Sequence, residues 1–160
     1  MRIKNNRLIF LAAFFASFDL VLKIWILSSD HSYYANRGIT FSLFWDHPLL
    51  DLFSFAFGLL STVLILRFVN NYGLSFWASG LYLGGVVSNV MDRLFHGFVI
   101  DYLDWRLIFP FWPAAWPRFF NLADVFIVLG LLLLVLEYFG ERFRITLDRR
   151  QTGEAGRNGH

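Results

Sequence analysis

Asp101, in Val99-Ile100-Asp101, and Asp124, in Phe120-Asn121-Leu122-Ala123-Asp124, are carboxylates set beside long apolar runs. A carboxylate facing lipid is costly, so one at a membrane segment faces protein, water or substrate. Two acids held close together share a single proton, and such a pair can activate water for attack on a carbonyl. Further polar groups accompany them. Asn89, Asp92 and Arg93 stand at i, i+3 and i+4, and Asn121 stands three residues before Asp124. Asp19 and Lys23 are spaced i, i+4, so they meet on one helix face. Each also has a plainer reading: Asp19 and Lys23 as a structural ion pair, Asp92 and Arg93 as a membrane-edge mark, Asn121 and Asp124 as helix caps. Asp46 and Asp104 read as solvated loop acids, and Gly80, Gly84 and Ser88 as a close-packing stripe. The chain has no cysteine, which excludes a thiol nucleophile and a disulfide framework. Its four histidines lack metal-ligand spacing, so no metal and no cofactor is expected.

These residues have to be positioned by membrane helices. Of 160 residues, 57% are hydrophobic and 16% charged, against roughly a quarter charged in a soluble domain. The mean hydropathy is +0.53. Four apolar runs, about 8–27, 48–69, 74–95 and 119–139, each approach the ~20 residues that a bilayer requires. The expected fold is an all-α polytopic membrane protein, one domain over residues 1–148, with a polar, disordered tail at 149–160. Basic residues concentrate near both termini and at Arg67, which predicts cytoplasmic termini and a tight inner turn at Asn70-Asn71-Tyr72-Gly73. The polar residues then gather near the outer leaflet. A net charge of +2 gives no case for nucleic acid. The apolar stretch after Met1-Arg2-Ile3-Lys4 is too long for a cleavable signal and lacks a cleavage site. On the outer side, residues 39–45 and 98–102 are rich in β-branched and aromatic types and read as short strands. Residues 109–117 carry three prolines, which bar a helix, and two tryptophans suited to the interface.

Five ordered motifs resemble the lipoprotein signal peptidase, or signal peptidase II, family. They are Asp19-Leu20-Val21-Leu22-Lys23, Asn36-Arg37-Gly38-Ile39-Thr40-Phe41-Ser42, Gly84-Gly85-Val86-Val87-Ser88-Asn89-Val90-Met91-Asp92-Arg93, Val99-Ile100-Asp101 and Phe120-Asn121-Leu122-Ala123-Asp124. The resemblance implies four transmembrane helices with a small extracytoplasmic β-cradle, in the bacterial cytoplasmic membrane. It implies an intramembrane aspartic endopeptidase that cuts diacylated prolipoproteins before the lipid-modified cysteine; beyond that substrate and membrane lipid no partner is expected, and the chain is expected to be monomeric. The family's dyad falls on Asp101 and Asp124. Asn36, Gly38, Asn89, Asp92, Arg93 and Asn121 match residues that bind substrate or shape the site, and Asp19 and Lys23 match a supporting pair.

The chain departs from the family pattern at Leu20, Ile39, Thr40 and Ser88, and its 101–124 stretch is longer than usual. These departures keep a second reading open, a catalytically inactive relative that binds lipidated or signal-bearing proteins. A proton-coupled transporter fits worse, since the acids gather at one leaflet and no repeated halves are present.

Overall fold

Apolar residues without proline or glycine build the first helix, α1 (Asn5–Leu27). It ends where Ser28 and Ser29 turn their hydroxyls onto the carbonyls of Trp25 and Ile26, at 3.0 and 3.1 Å, satisfying acceptors that a helix end leaves free. The computed structural model describes residues 5–37, 49–72, 75–111 and 118–157. Three more helices follow: α2 (Leu49–Tyr72), α3 (Phe76–His96) and α4 (Leu122–Arg157). Among the described residues two segments, Asn6–Leu27 and Leu122–Ile145, are long and apolar enough to cross a membrane, and α2 contains a shorter apolar stretch, Ala56–Val69. The expected strand at 39–45, Gly38, and residues 112–117 of the proline- and tryptophan-bearing segment lie outside the described residues.

α1 inverts the usual soluble pattern. Leu8, Leu11, Ala16, Asp19, Lys23 and Ile26 are buried at helical spacing, while Ile9, Phe10, Phe14, Phe18, Val21, Ile24 and Trp25 lie outside. A helix that buries Asp19 and Lys23 and exposes Phe10, Phe14 and Phe18 is built for an apolar solvent.

α3 is the central helix. Ser75 caps its start, with the Trp77 N–H donating to Ser75 Oγ at 3.1 Å. Glu137 of α4 accepts from the Ser75 N–H at 2.7 Å. Gly97 ends α3 in the left-handed region (φ 73°) and donates to the Arg93 carbonyl at 3.0 Å. Small residues let its neighbours approach closely. A Cβ placed on Gly84 would lie 2.6 Å from Phe15 Cβ and 2.9 Å from the Ala12 carbonyl of α1. One placed on Gly85 would lie 2.8 Å from Ile127 Cγ1 in the first turns of α4. Gly85→Val is therefore expected to destabilise the fold by roughly 1–3 kcal/mol, the usual cost of overpacking. Thermal melting in detergent checks this, and an unchanged midpoint would refute the close approach.

Between the helices lie two short antiparallel pairs. β1 (Tyr34–Asn36) pairs with β2 (Val99–Asp101), setting Tyr34 opposite Asp101 and Asn36 opposite Val99. β3 (Leu103–Asp104) pairs with β4 (Phe119–Phe120), setting Leu103 opposite Phe120.

The structure moves several boundaries. Residues 119–120 form a strand, so the fourth helix starts at Leu122, because Phe119 and Phe120 give their backbone to β3 and Asn121 caps the helix. α4 also continues as helix to Arg157, past the 149 boundary where a disordered tail is expected. That extension holds good helix formers at Arg149, Arg150, Gln151, Glu154 and Ala155. Asn70 and Asn71 complete α2 and do not belong to the turn.

Candidate active site

The buried ends of α1 and α3 meet around one ammonium group. Lys23 Nζ lies 2.7 Å from Asp19 Oδ2 and 2.8 Å from Asp92 Oδ2. It also donates to Asn89 Oδ1 at 3.1 Å and Ser88 Oγ at 3.3 Å. Ser88 in turn donates to Asp19 Oδ2 at 2.6 Å. Asp19, Lys23 and Asp92 are each at most 1% exposed. Asp92 Oδ2 further accepts the Ile100 N–H at 3.0 Å, which fixes β2 against α3. Its Oδ1 has no hydrogen-bond partner and sits 4.0 Å from His96 Nδ1.

The start of α4 is satisfied by side chains from three elements. A helix leaves its first four N–H groups without partners. Here the Asn121 N–H donates to Asp124 Oδ2 (3.2 Å) and the Leu122 N–H to Tyr102 Oη (3.3 Å). The Ala123 N–H donates to Asp19 Oδ1 (3.2 Å) and the Asp124 N–H to Asn121 Oδ1 (2.9 Å). Asn121 and Asp124 thus form a reciprocal capping box, so the plainer helix-cap reading of these residues holds alongside any other role.

Asp101, buried at the end of β2, meets that cap through amides. Asn121 Nδ2 donates to Asp101 Oδ1 at 2.7 Å and Asn36 Nδ2 to Asp101 Oδ2 at 2.8 Å. Asn121 Nδ2 also reaches Asn89 Oδ1 at 3.1 Å, and Asn89 Nδ2 donates to Asp124 Oδ1 at 2.8 Å. Asp101 and Asp124 therefore stand on either side of one residue, Asn121, with Asn89 closing the network behind them. Burial, then the Asp124 charge, pushes the Asp101 carboxyl up to about 7 against the opposing pull of Asn36, Asn121 and Lys23. Arg93 Nη1 donates to the Asn89 carbonyl at 3.4 Å, on the same helix face.

The structure brings Asp19, Lys23, Asn36, Asn89, Asp92, Arg93, Asp101, Asn121 and Asp124 into one connected region, and Gly38 alone of the expected residues lies outside the described ones. Among the described residues no cluster of His, Cys, Asp and Glu could hold a metal ion. A shallow apolar groove lined by Asn6, Arg7, Phe10, Leu11, Phe76 and Trp77 lies at the other end of α1 and shares no residue with this region. Two groups escaped sequence reasoning. Ser88 reads as packing, yet its hydroxyl joins the ion cluster. Tyr102 carries no motif signal, yet its hydroxyl bridges Asp19 and α4. Asp104 reads as solvated, but Arg118 Nε donates to it at 2.6 Å and Arg118 Nη2 pairs with the same oxygen.

A family profile described as signal peptidase (SPase) II matches residues 11–140, which take in every carboxylate of this region. The chain belongs to the signal peptidase II family. Its relatives include the lipoprotein signal peptidase of Shewanella amazonensis, 32% identical over 130 residues, covering 78% of this chain and 74% of the relative. That of Brucella ovis is 38% identical over 107 residues, covering 65% of this chain and 63% of the relative. The fold is similar to two solved bacterial membrane enzymes, both at 21% identity. One has a TM-score of 0.65 and covers 84% of this chain and 88% of the other. The second has a TM-score of 0.60 and covers 81% and 90%. Membership in the signal peptidase II family makes this chain a membrane protease of lipoprotein processing.

Proposed function

We propose that the chain is an intramembrane aspartic endopeptidase that cuts diacylated prolipoproteins immediately before the lipid-modified cysteine. One observation carries this reading. Among the buried acids, Asp19 and Asp92 share the Lys23 ammonium, whereas the direct hydrogen-bond partners of Asp101 and Asp124 are neutral donors. Asp92 is tied to Lys23 and to the Ile100 N–H, which leaves it poorly placed to exchange protons with substrate.

Asp101 and Asp124 hold one proton between them. The ionised partner takes a proton from a water as that water attacks the scissile carbonyl. The protonated partner hydrogen-bonds the carbonyl oxygen and then protonates the leaving amine. The amides of Asn36, Asn89 and Asn121 fix both carboxylates and exchange no proton themselves. The four apolar runs support four membrane-crossing helices, and the distribution of basic residues supports cytoplasmic termini and a site near the outer leaflet, beside the lipid that would hold the diacyl chains.

The test is cleavage in vesicles by the purified full chain. A diacylated prolipoprotein is expected to yield a product beginning at the lipid-modified cysteine, and the unacylated precursor to remain whole. Because Asp101 holds its proton up to about pH 7, the pair loses the shared proton above that point. The value of kcat/KM is then expected to fall about tenfold per unit of rising pH. An intact diacylated substrate, which the inactive-relative reading requires, would overturn the endopeptidase assignment. A rate that stays level to about pH 9 would overturn the shared proton.

A further inference from the structure

Tyr102 stands between the two strands that flank the carboxylates, directly after Asp101. Its backbone N–H donates to the Phe120 carbonyl at 3.1 Å. Its hydroxyl donates to Asp19 Oδ1 at 2.8 Å and accepts the Leu122 N–H at 3.3 Å. A phenol can do both at once, since its oxygen carries one proton and free lone pairs. Phenylalanine at the same place could do neither. Burial and the Asp19 carboxylate keep the phenol proton in place, so the direction of this chain of bonds is fixed.

These contacts close a ring. From Asp101 the backbone leads to Tyr102, the hydroxyl leads to Leu122, two further residues lead to Asp124, and Asn121 returns to Asp101. We propose that Tyr102 is a positioning residue whose hydroxyl locks the first turn of α4, and with it Asp124, to the strand that carries Asp101. This rests on the reading of Asp101 and Asp124 as the reacting pair. Tyr102 touches neither carboxylate with its side chain. It acts through the Leu122 N–H and through Asp19, which holds the adjacent Ala123 N–H. Without the hydroxyl, the Leu122 N–H loses its acceptor, Asp19 loses a donor, and the ring opens at one point. Displacement of a reacting group by about 1 Å can cost on the order of 100-fold in rate.

The experiment compares Tyr102→Phe with the parent chain in the vesicle assay, measuring kcat, KM and the thermal midpoint. The expected result is a kcat lowered by about 10- to 100-fold, a KM within about twofold, and a folded protein at the assay temperature. A purely structural tyrosine would lower the midpoint and leave kcat of the folded enzyme within about twofold, and that outcome overturns the inference. A KM that rises in step with the loss of kcat overturns it too, since the hydroxyl would then be handling substrate. Asp101→Asn and Asp124→Asn run in the same assay separate the two levels. If both are inactive and Tyr102→Phe turns over like the parent, only the positioning role fails. If either Asp variant remains fully active, the reacting pair itself is wrong.

Discussion

Asp101→Asn and Asp124→Asn are each expected to lower prolipoprotein cleavage by about 1,000-fold or more, the loss that follows when a general acid or base is removed. The two variants differ in their secondary cost. At position 101 the carboxylate faces two amide donors, Asn36 Nδ2 and Asn121 Nδ2, and an asparagine can accept only one of them while its own NH₂ opposes the other. At position 124 the replacement keeps one acceptor for Asn89 Nδ2 or for the Asn121 N–H and gives up half of the capping box, worth about 1 kcal/mol. Both chains therefore remain folded, with a thermal midpoint a little below the parent's. Asp92→Asn is the informative comparison. Its loss weakens the partner set of Lys23, so stability drops along with activity, whereas the other two variants lose activity with the fold largely kept. Normal processing by either Asp101→Asn or Asp124→Asn would remove the aspartic mechanism from consideration.

Lys23→Met should be strongly destabilising. The ammonium is 1% exposed and is the shared counter-charge of Asp19 and Asp92. Removing it leaves two buried carboxylates without their counter-charge, and breaking a buried pair in this way costs about 3–5 kcal/mol. The expected outcome is poor accumulation in membranes and a sharply lowered midpoint in detergent. Adding Asp92→Asn to Lys23→Met halves the charge left behind and should recover part of the loss, as coupled neighbours do. A Lys23→Met protein that melts like the parent would mean that the ion cluster is incidental to the fold.

Much of this arrangement is legible in the chain. The i, i+4 spacing of Asp19 and Lys23 announces their contact, and the three-residue spacing of Asn121 and Asp124 is that of a capping box. The β-branched Val99 and Ile100 mark β2. What escapes is what distance along the chain conceals. Tyr102 and Asp19 are 83 residues apart, and Ser88 and Asp19 are 69 apart, so no local pattern joins them. Phe119 and Phe120 are separated from the apolar run of the fourth helix by Asn121 alone, so they read as its first turn. Only their pairing with Leu103 and Asp104 turns them into a strand. Asp104 looks like any surface acid until the chain returns Arg118 to its side. The helical extension to Arg157 went unread because polarity and glycines resemble a loose tail, although the same stretch is rich in helix formers.

The pairing of Asp19 with Lys23 within α1 also bears on how the protein is made. Because both lie on one helix, one turn apart, they can cancel each other within that segment, before it packs against another helix. Asp92 has only the more distant His96, at 4.0 Å, on its own helix, and its short ion pair, at 2.8 Å, is with Lys23 of α1. The packing of α3 against α1 is then the step that brings Asp92 beside a cation, and Lys23 acts as the electrostatic seam between the two helices.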